Sequence, residues 1–91
     1  MLGRGKAELL LPDATRCDLV TDTHAVEIDF ADKWTEAIGQ SLYYAFQTNK
    51  KPGIILIMED KKDERHFLKV RSVIMNYNLP IEVFPLRVWE E

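Results

Sequence analysis

Cysteine is nearly absent from this chain of 91 residues, because Cys17 is the single one. One cysteine excludes an internal disulfide and a zinc site built from several cysteines. An excess of positive charge is also lacking, since the formal net charge is −3. The chain therefore has no overall basic field for nucleic acid, and such a partner would have to meet a local patch or metal ions.

Long apolar runs are missing as well, and none approaches the length that crosses a membrane. The first 13 residues are too short and too polar for a signal peptide. We therefore expect a cytoplasmic protein with no membrane partner. With 46% hydrophobic and 30% charged residues the chain should fold, and its length predicts one domain over residues 1–91.

The spacing of apolar residues predicts seven elements. Segments 7–11, 15–20 and 24–30 are typical of strands, and the short loop between the last two favours an antiparallel meander. Helical spacing predicts helices over 32–48 and 63–78. The aliphatic run 54–58 is typical of a strand covered on both faces, and a last strand is predicted over 81–88. The sequence thus predicts an α/β domain with a mixed sheet and the order β-β-β-α-β-α-β.

Each predicted helix has one face that should be buried against the sheet, because its apolar residues recur every three or four positions. The residues expected on these faces are Trp34, Ala37, Ile38, Leu42, Ala45 and Phe46 in the first helix, and Phe67, Val70, Ile74 and Tyr77 in the second.

Two acidic residues stand in the middle of neighbouring predicted strands. Asp18 lies in the second strand and Glu27 in the third, so their carboxylates come close if they share a face. Two nearby carboxylates in a half-buried site repel each other unless a proton or a cation lies between them. Mg²⁺ suits such a site, because it takes carboxylates, a backbone carbonyl and waters as ligands. The alternative is that both acids lie on a solvated sheet face.

A polar strip borders the apolar face of the first predicted helix. Its members fall within about 80° of one another at 100° per residue. The strip should look towards the sheet margin where the two acids lie, although an ordinary amphipathic boundary has the same pattern. The members are Lys33, Glu36, Gln40, Tyr44 and Gln47.

Together these residues resemble the PD-(D/E)XK, or restriction-endonuclease-like, nuclease superfamily. Asp18 matches the acid of that family's second strand, and Glu27 matches the acid of its third. Residues 40–44 (QSLYY) match the Q-x-x-x-Y motif of its repair and recombination branch, and Glu8 is the candidate for its upstream acid. The resemblance covers residues 8–60 in motif and the whole chain in element order.

The resemblance implies a magnesium- or manganese-dependent endonuclease, and DNA is expected as its substrate rather than RNA. In this family the metal activates water and neutralises charge on the scissile phosphate. The implied metal ligands are Asp18, Glu27, Glu8 and the carbonyl of Ile28. The implied catalytic set is Asp18, Glu27, Lys33, Gln40 and Tyr44, in which Gln40 and Tyr44 orient the nucleic-acid strand or the water.

One departure from the family concerns a lysine. Two residues after Glu27, where the family has lysine, this chain has Asp29. Lys33, in the first turn of the following helix, is the candidate for a lysine that has moved. The alternative is a solvated Lys33 in a degenerate nuclease-fold domain that binds nucleic acid or serves as an assembly subunit. A third interpretation is a small α/β interaction protein with no nucleic-acid role.

A second departure is the short N-terminus. Only six residues precede Ala7, so we expect the family's preceding helix to be absent or reduced. The sheet surface left uncovered predicts a homodimer.

The remaining chemistry-bearing residues are expected to have structural or solvation roles. His24 and His66 have no third ligand at metal spacing, and Cys17 has no histidine partner. Scattered cations usually keep a protein solvated, although they can also contact phosphates. The cations in question are Lys50, Lys51, Lys61, Lys62, Lys69 and Arg71.

Overall fold

The computed structural model describes residues 5–10 and 16–89. The strands are β1 (Gly5–Leu10), β2 (Arg16–Thr21), β3 (His24–Phe30), β4 (Lys51–Met58) and β5 (Glu82–Arg87). Helix α1 (Trp34–Thr48) follows a 3-10 turn at Ala31–Lys33, and helix α2 (Glu64–Asn76) follows another at Lys61–Asp63. The predicted order of strands and helices is confirmed. Within the described ranges neither helix is long and apolar enough to cross a membrane.

The five strands form one mixed sheet in the order β1-β2-β3-β4-β5. The first three strands pair antiparallel, as the short connections predict, and β3-β4 and β4-β5 are parallel. The two parallel connections advance in the same direction through the sheet. Right-handed crossovers then place α1 and α2 on the same face, which gives an α/β fold of two layers.

The main core lies between β4 and the two helices. Ile54, Leu56 and Met58 are fully buried on that side, whereas Ile55 and Ile57 on the other side are half-buried. The expectation that this strand is covered on both faces is therefore wrong, because its helix neighbours all lie on one side. The helical residues that pack here are Ala37, Val70, Trp34, Ile38, Leu42, Phe67 and Ile74.

The opposite side of the sheet, here called the open face, carries no helix among the described residues. Alternation along the strands places Ile28 and Phe30 of β3 and Leu86 of β5 on this side. Their exposed fractions are 37%, 47% and 48%, respectively. The open face is thus a partly exposed apolar surface.

A side-chain contact on the open face crosses β4 and joins β3 to β5. The Nε2 atom of His24 lies 3.1 Å from Oε1 of Glu82, and its ring meets Phe84 edge-on at 6.3 Å. Gly53 of β4 lies between the two strands. A Cβ atom at this glycine would lie 3.3 Å from Val26 Cγ2 and 3.6 Å from His24 Cδ2. The contact between His24 and Glu82 therefore depends on glycine at position 53, which has no side chain.

The start of β4 differs from the prediction. The strand begins at Lys51 instead of residue 54, because the Lys51 N–H donates to the Thr23 carbonyl at 3.0 Å and pairs this segment with β3. Asn49 ends α1 in the left-handed conformation, with φ of 55°, which turns the chain directly into the strand. Pairing with β3 overrides the loop preference of Pro52 and Gly53.

Two residues expected in the core are exposed instead. Phe46 is 79% exposed and Tyr77 is 70% exposed. The buried face of α1 is centred on Ala37, Ser41 and Tyr44, so Phe46 falls beyond its edge. Tyr77 lies outside the last turn of α2, which ends at residue 76. The first error comes from counting an apolar residue at the rim of a helical face as buried, and the second from extending α2 beyond its end.

Gly53→Ala should lower the free energy of unfolding by about 1–3 kcal/mol, because the added methyl group meets Val26 in an already packed part of the sheet. Urea denaturation of the two proteins measures the difference. Gly39→Ala is the matched control, since a Cβ there meets nothing within 4 Å. Alanine at this position in α1 should raise stability by about 0.5–1 kcal/mol. Equal stability of Gly53→Ala and the native protein would contradict the packing account.

Candidate functional site

The side chain of Asp18 in β2 links this strand to the backbone of β3. Their backbone pairing joins Leu19 to Val26 and Val20 to Ala25. Beyond these pairs the N–H of Ile28 donates to Oδ2 of Asp18 at 2.9 Å. A carboxylate thus accepts the hydrogen bond of a β3 N–H that faces β2, and this bond fixes the orientation of Asp18.

The side chain of Glu27 is hydrogen-bonded to that of Asp18. Glu27 is only 5% exposed and lies on the helix-covered face, next to Ile54. Burial raises its pKa to about 9, with further contributions from the hydrogen bond to Asp18 and from the charges of Asp18 and Asp29. Glu27 therefore holds a proton at neutral pH and shares it with Asp18. The alternative that Glu27 lies on a solvated face of the sheet is therefore wrong.

Asp29 extends the acidic group along the same face of β3. Its Oδ1 accepts the N–H of Phe30 at 2.9 Å. Burial is the main reason that its pKa is raised; Glu36 and Asp18 raise it further, and the Phe30 N–H and Lys33 lower it. Asp29, Lys33 and Glu36 therefore form one electrostatic group next to the carboxylate pair. Lys33 is placed there by the 3-10 turn that follows β3 directly.

Gln40 and Tyr44, the other two residues of the implied catalytic set, do not belong to this electrostatic group. Gln40 is exposed on α1, and its side chain makes no hydrogen bond with any described residue. Tyr44 is 7% exposed and packs with Cys17 and Ala25. The polar strip of α1 is thus divided: its first turn faces the acids, and its third turn is packed against the strands that carry them.

Only the backbone shows where Glu8 and the carbonyl of Ile28, the other two implied metal ligands, lie. The pairs Ala7–Leu19 and Leu9–Cys17 put Glu8 at the position opposite Asp18, but its side chain lies outside the described residues. The carbonyl of Ile28 lies on the β2 side of β3, since the N–H and C=O of a strand residue point to the same neighbour. Both positions are next to the carboxylate pair.

The donor set at this place consists of hard oxygen atoms, which suit Mg²⁺ or Mn²⁺ better than softer metals. Among the side chains of residues 16–89, no group of three or more His, Cys, Asp or Glu residues is arranged to hold a metal ion. Asp18 and Glu27 fit a cation as a pair, in which it would take the place of the shared proton. Asp18 is half-buried, so this pair is reachable from solvent.

Cys17 and Glu36 belong to the surroundings of the site although neither had a predicted role there. Burial raises the pKa of the Cys17 thiol, and its Sγ lies 3.6 Å from the Val26 carbonyl, so the residue packs as an uncharged thiol. Glu36 was recognised only as part of the polar strip. The alternation of Glu27 and Asp29 along β3 was the signal that could have extended the site towards it.

Glu27→Gln should remove most of the pH dependence of stability between about pH 5 and pH 9. In that range folded Glu27 binds a proton that the unfolded chain has lost, so the free energy of unfolding of the native protein falls as pH rises. Glutamine cannot titrate, and this contribution disappears. Urea denaturation at several pH values measures the slope, with the exposed Glu59→Gln as control. An unchanged slope in Glu27→Gln would contradict the buried proton.

Comparison of the chain with family models, with curated proteins and with solved structures gave no match in any of the three. A functional assignment therefore depends on the geometry of the described residues and on the sequence motifs.

Proposed function

We propose that this chain is a metal-dependent nuclease with a restriction-endonuclease-like fold that hydrolyses phosphodiester bonds in DNA. The observation that carries the proposal is the Asp18–Glu27 pair, held between β2 and β3 by a backbone N–H and buried on one side. Perturbed carboxyl groups in such a position are typical of functional sites. The order of strands and helices around the pair also agrees with the proposal.

The proposed cation is Mg²⁺ or Mn²⁺, held by Asp18, Glu27 and the carbonyl of Ile28, with Glu8 as a further ligand. When bound, the ion supplies charge neutralisation at the phosphate and lowers the pKa of a water. Glu27 has to release its proton before it can act as a ligand. The N–H of Ile28 keeps Asp18 in one orientation throughout.

Lys33 is proposed as the lysine that moved from the third strand to the following turn. Its ammonium group lies close enough to Asp29 to lower the pKa of that carboxyl, which places it on the acidic side of the sheet. There it would stabilise negative charge that develops on the phosphate. Gln40 is proposed to contact the nucleic-acid strand from the surface of α1, and Tyr44 to hold β2 and β3 in place through its contacts with Cys17 and Ala25.

A catalytically degenerate domain is the second candidate, and one observation favours it. Asp29 stands where the lysine would be and attracts Lys33 electrostatically. In this candidate the fold serves nucleic-acid binding or assembly, and Lys33 balances local acidic charge.

Metal binding should release a proton, because Glu27 holds one at neutral pH. We expect calorimetric titration with Mg²⁺ to give binding heats that depend on the ionisation enthalpy of the buffer. The apparent affinity should rise with pH up to about pH 9. Asp18→Asn should abolish binding, and Glu59→Gln should leave it unchanged. Binding without proton release would contradict the assigned ligand.

The same pair of variants tests catalysis. Plasmid nicking with Mg²⁺ should fall by about 100-fold or more in Asp18→Asn, because metal and charge neutralisation are lost together. Native-like nicking by this variant would overturn the proposed function.

Lys33→Ala should lower the cleavage rate strongly while DNA affinity changes little, since the interaction strengthens only in the transition state. Lys33→Arg should restore little activity, because a planar guanidinium does not replace a compact ammonium. Single-turnover rates and separate binding measurements distinguish the two effects. Cleavage by Asp29→Lys, combined with no cleavage by the native chain, would establish the degenerate candidate instead.

A homodimer through the open face is the remaining part of the proposal. Ile28, Phe30 and Leu86 expose apolar surface there, and a second copy that covers it would bury that surface. Light scattering of the native protein should give the mass of two chains, and Phe30→Glu should shift it towards one. A native protein that stays monomeric at high concentration would contradict this part.

A further inference from the structure

The solvent side of α2 carries a row of positive charge, in which Arg65 joins Lys62 and Lys69, two of the cations expected to keep the protein solvated. Lys62, Arg65 and Lys69 recur at three- and four-residue spacing, so they lie along one side of the turn and helix. All three are exposed, and none forms an ion pair with a described residue. Ser72 and Asn76 continue the same line. We call these five residues the cationic stripe.

The acids near this stripe are largely engaged elsewhere. Asp60 accepts the Lys62 N–H at 2.9 Å, and Asp63 accepts the N–H groups of Glu59 and Asp60 at 2.9 and 3.3 Å. Glu64, on another side of α2, is paired with Arg87 through two hydrogen bonds. These carboxylates are oriented towards backbone groups or towards Arg87, and none of them forms an ion pair with Lys62, Arg65 or Lys69 in the described part of the chain.

The other helix on the same side of the sheet has no such charge. Helix α1 contains no lysine or arginine, and its exposed surface includes Glu36 and Gln40. The helical layer is therefore asymmetric, with its cations on α2.

A cleft of about 490 Å³ connects the stripe with Lys33. The cleft lies between the two 3-10 turns that follow β3 and β4, and Lys33, Lys62 and Arg65 all line it. Four acids line it too, namely Asp32, Glu59, Asp60 and Asp63. Lys33 interacts electrostatically with Asp29, which in turn interacts with Asp18 of the carboxylate pair. Lys33, Lys62 and Arg65 thus share this cleft with four acids, and Lys69 continues the row of cations along α2.

The spacing of the stripe fits a phosphate backbone. Seven residues separate Lys62 from Lys69, which corresponds to about 10 Å along a helix. One strand of duplex DNA presents a phosphate about every 3.4 Å of its axis. Three flexible cations over this length can therefore meet three successive phosphates of one strand.

We infer that the cationic stripe binds the phosphate backbone of duplex DNA and guides it towards Lys33 and the carboxylate pair. The direction of this path rests on the proposed nuclease function, whereas the binding itself does not. Contacts of this kind are independent of base sequence, because phosphates carry no sequence information. They supply affinity that depends on salt.

The test is fluorescence anisotropy of an end-labelled DNA duplex, measured in EDTA over a series of salt concentrations. The triple variant Lys62→Gln/Arg65→Gln/Lys69→Gln should lose about 2.7 from the slope of log affinity against log salt, or about 0.9 for each phosphate contact. Lys69→Gln alone should lose about 0.9. Lys51→Gln is the matched control, since it is exposed at the opposite end of β4 and should keep the native slope.

Three results would overturn the inference: no duplex binding by the native protein, an unchanged slope in the triple variant, or an equal loss in Lys51→Gln. Tighter binding of a single strand of the same length would overturn the assignment to duplex DNA. Circular dichroism shows whether the variants are folded. Because EDTA removes metal and cleavage from the measurement, failure of the nuclease proposal leaves this result intact, and the reverse also holds.

Discussion

The hydrogen bond between Glu27 and Asp18 is the interaction on which the rest of the site depends. Glu27 is held under α1 and ionises only at high pH, because burial and a neighbouring carboxylate both oppose its negative charge. The Ile28 N–H compensates on the Asp18 side by donating to its carboxylate. Because Glu27 has to take up a proton when the chain folds, this pair lowers the free energy of unfolding at neutral pH.

The packing around this pair explains why it can be held in place. Tyr44 and Ala25 pack with Cys17 beside the strands that carry the acids, and a separate, larger core forms over β4. The acids therefore lie at the margin of the helical layer, where one side of the pair is buried and the other is exposed to solvent. Such a position raises the pKa of a carboxyl and still leaves room for a ligand.

Charge is distributed unevenly over the same layer of helices. The acidic group is next to the start of α1, and the cationic stripe runs along α2, with the cleft between the two 3-10 turns joining them. This arrangement agrees with the proposed DNA substrate, whose phosphates attract cations and whose hydrolysis a metal ion can assist. It also agrees with a domain that binds DNA without cutting it, because the stripe does not depend on the acids.

Local pattern alone determined the order of strands and helices, the antiparallel meander and the places of Asp18 and Glu27 in neighbouring strands, since periodicity and short loops are encoded within a few residues. Motif matches led to Lys33, Gln40 and Tyr44, and the tertiary structure divided this set between the acidic group, the solvent and the core. Only the fold decided that β4 begins at Lys51, that Phe46 is exposed and that Glu27 keeps its proton. These outcomes depend on pairing, burial and charge between segments distant in sequence, and no local pattern contains that information.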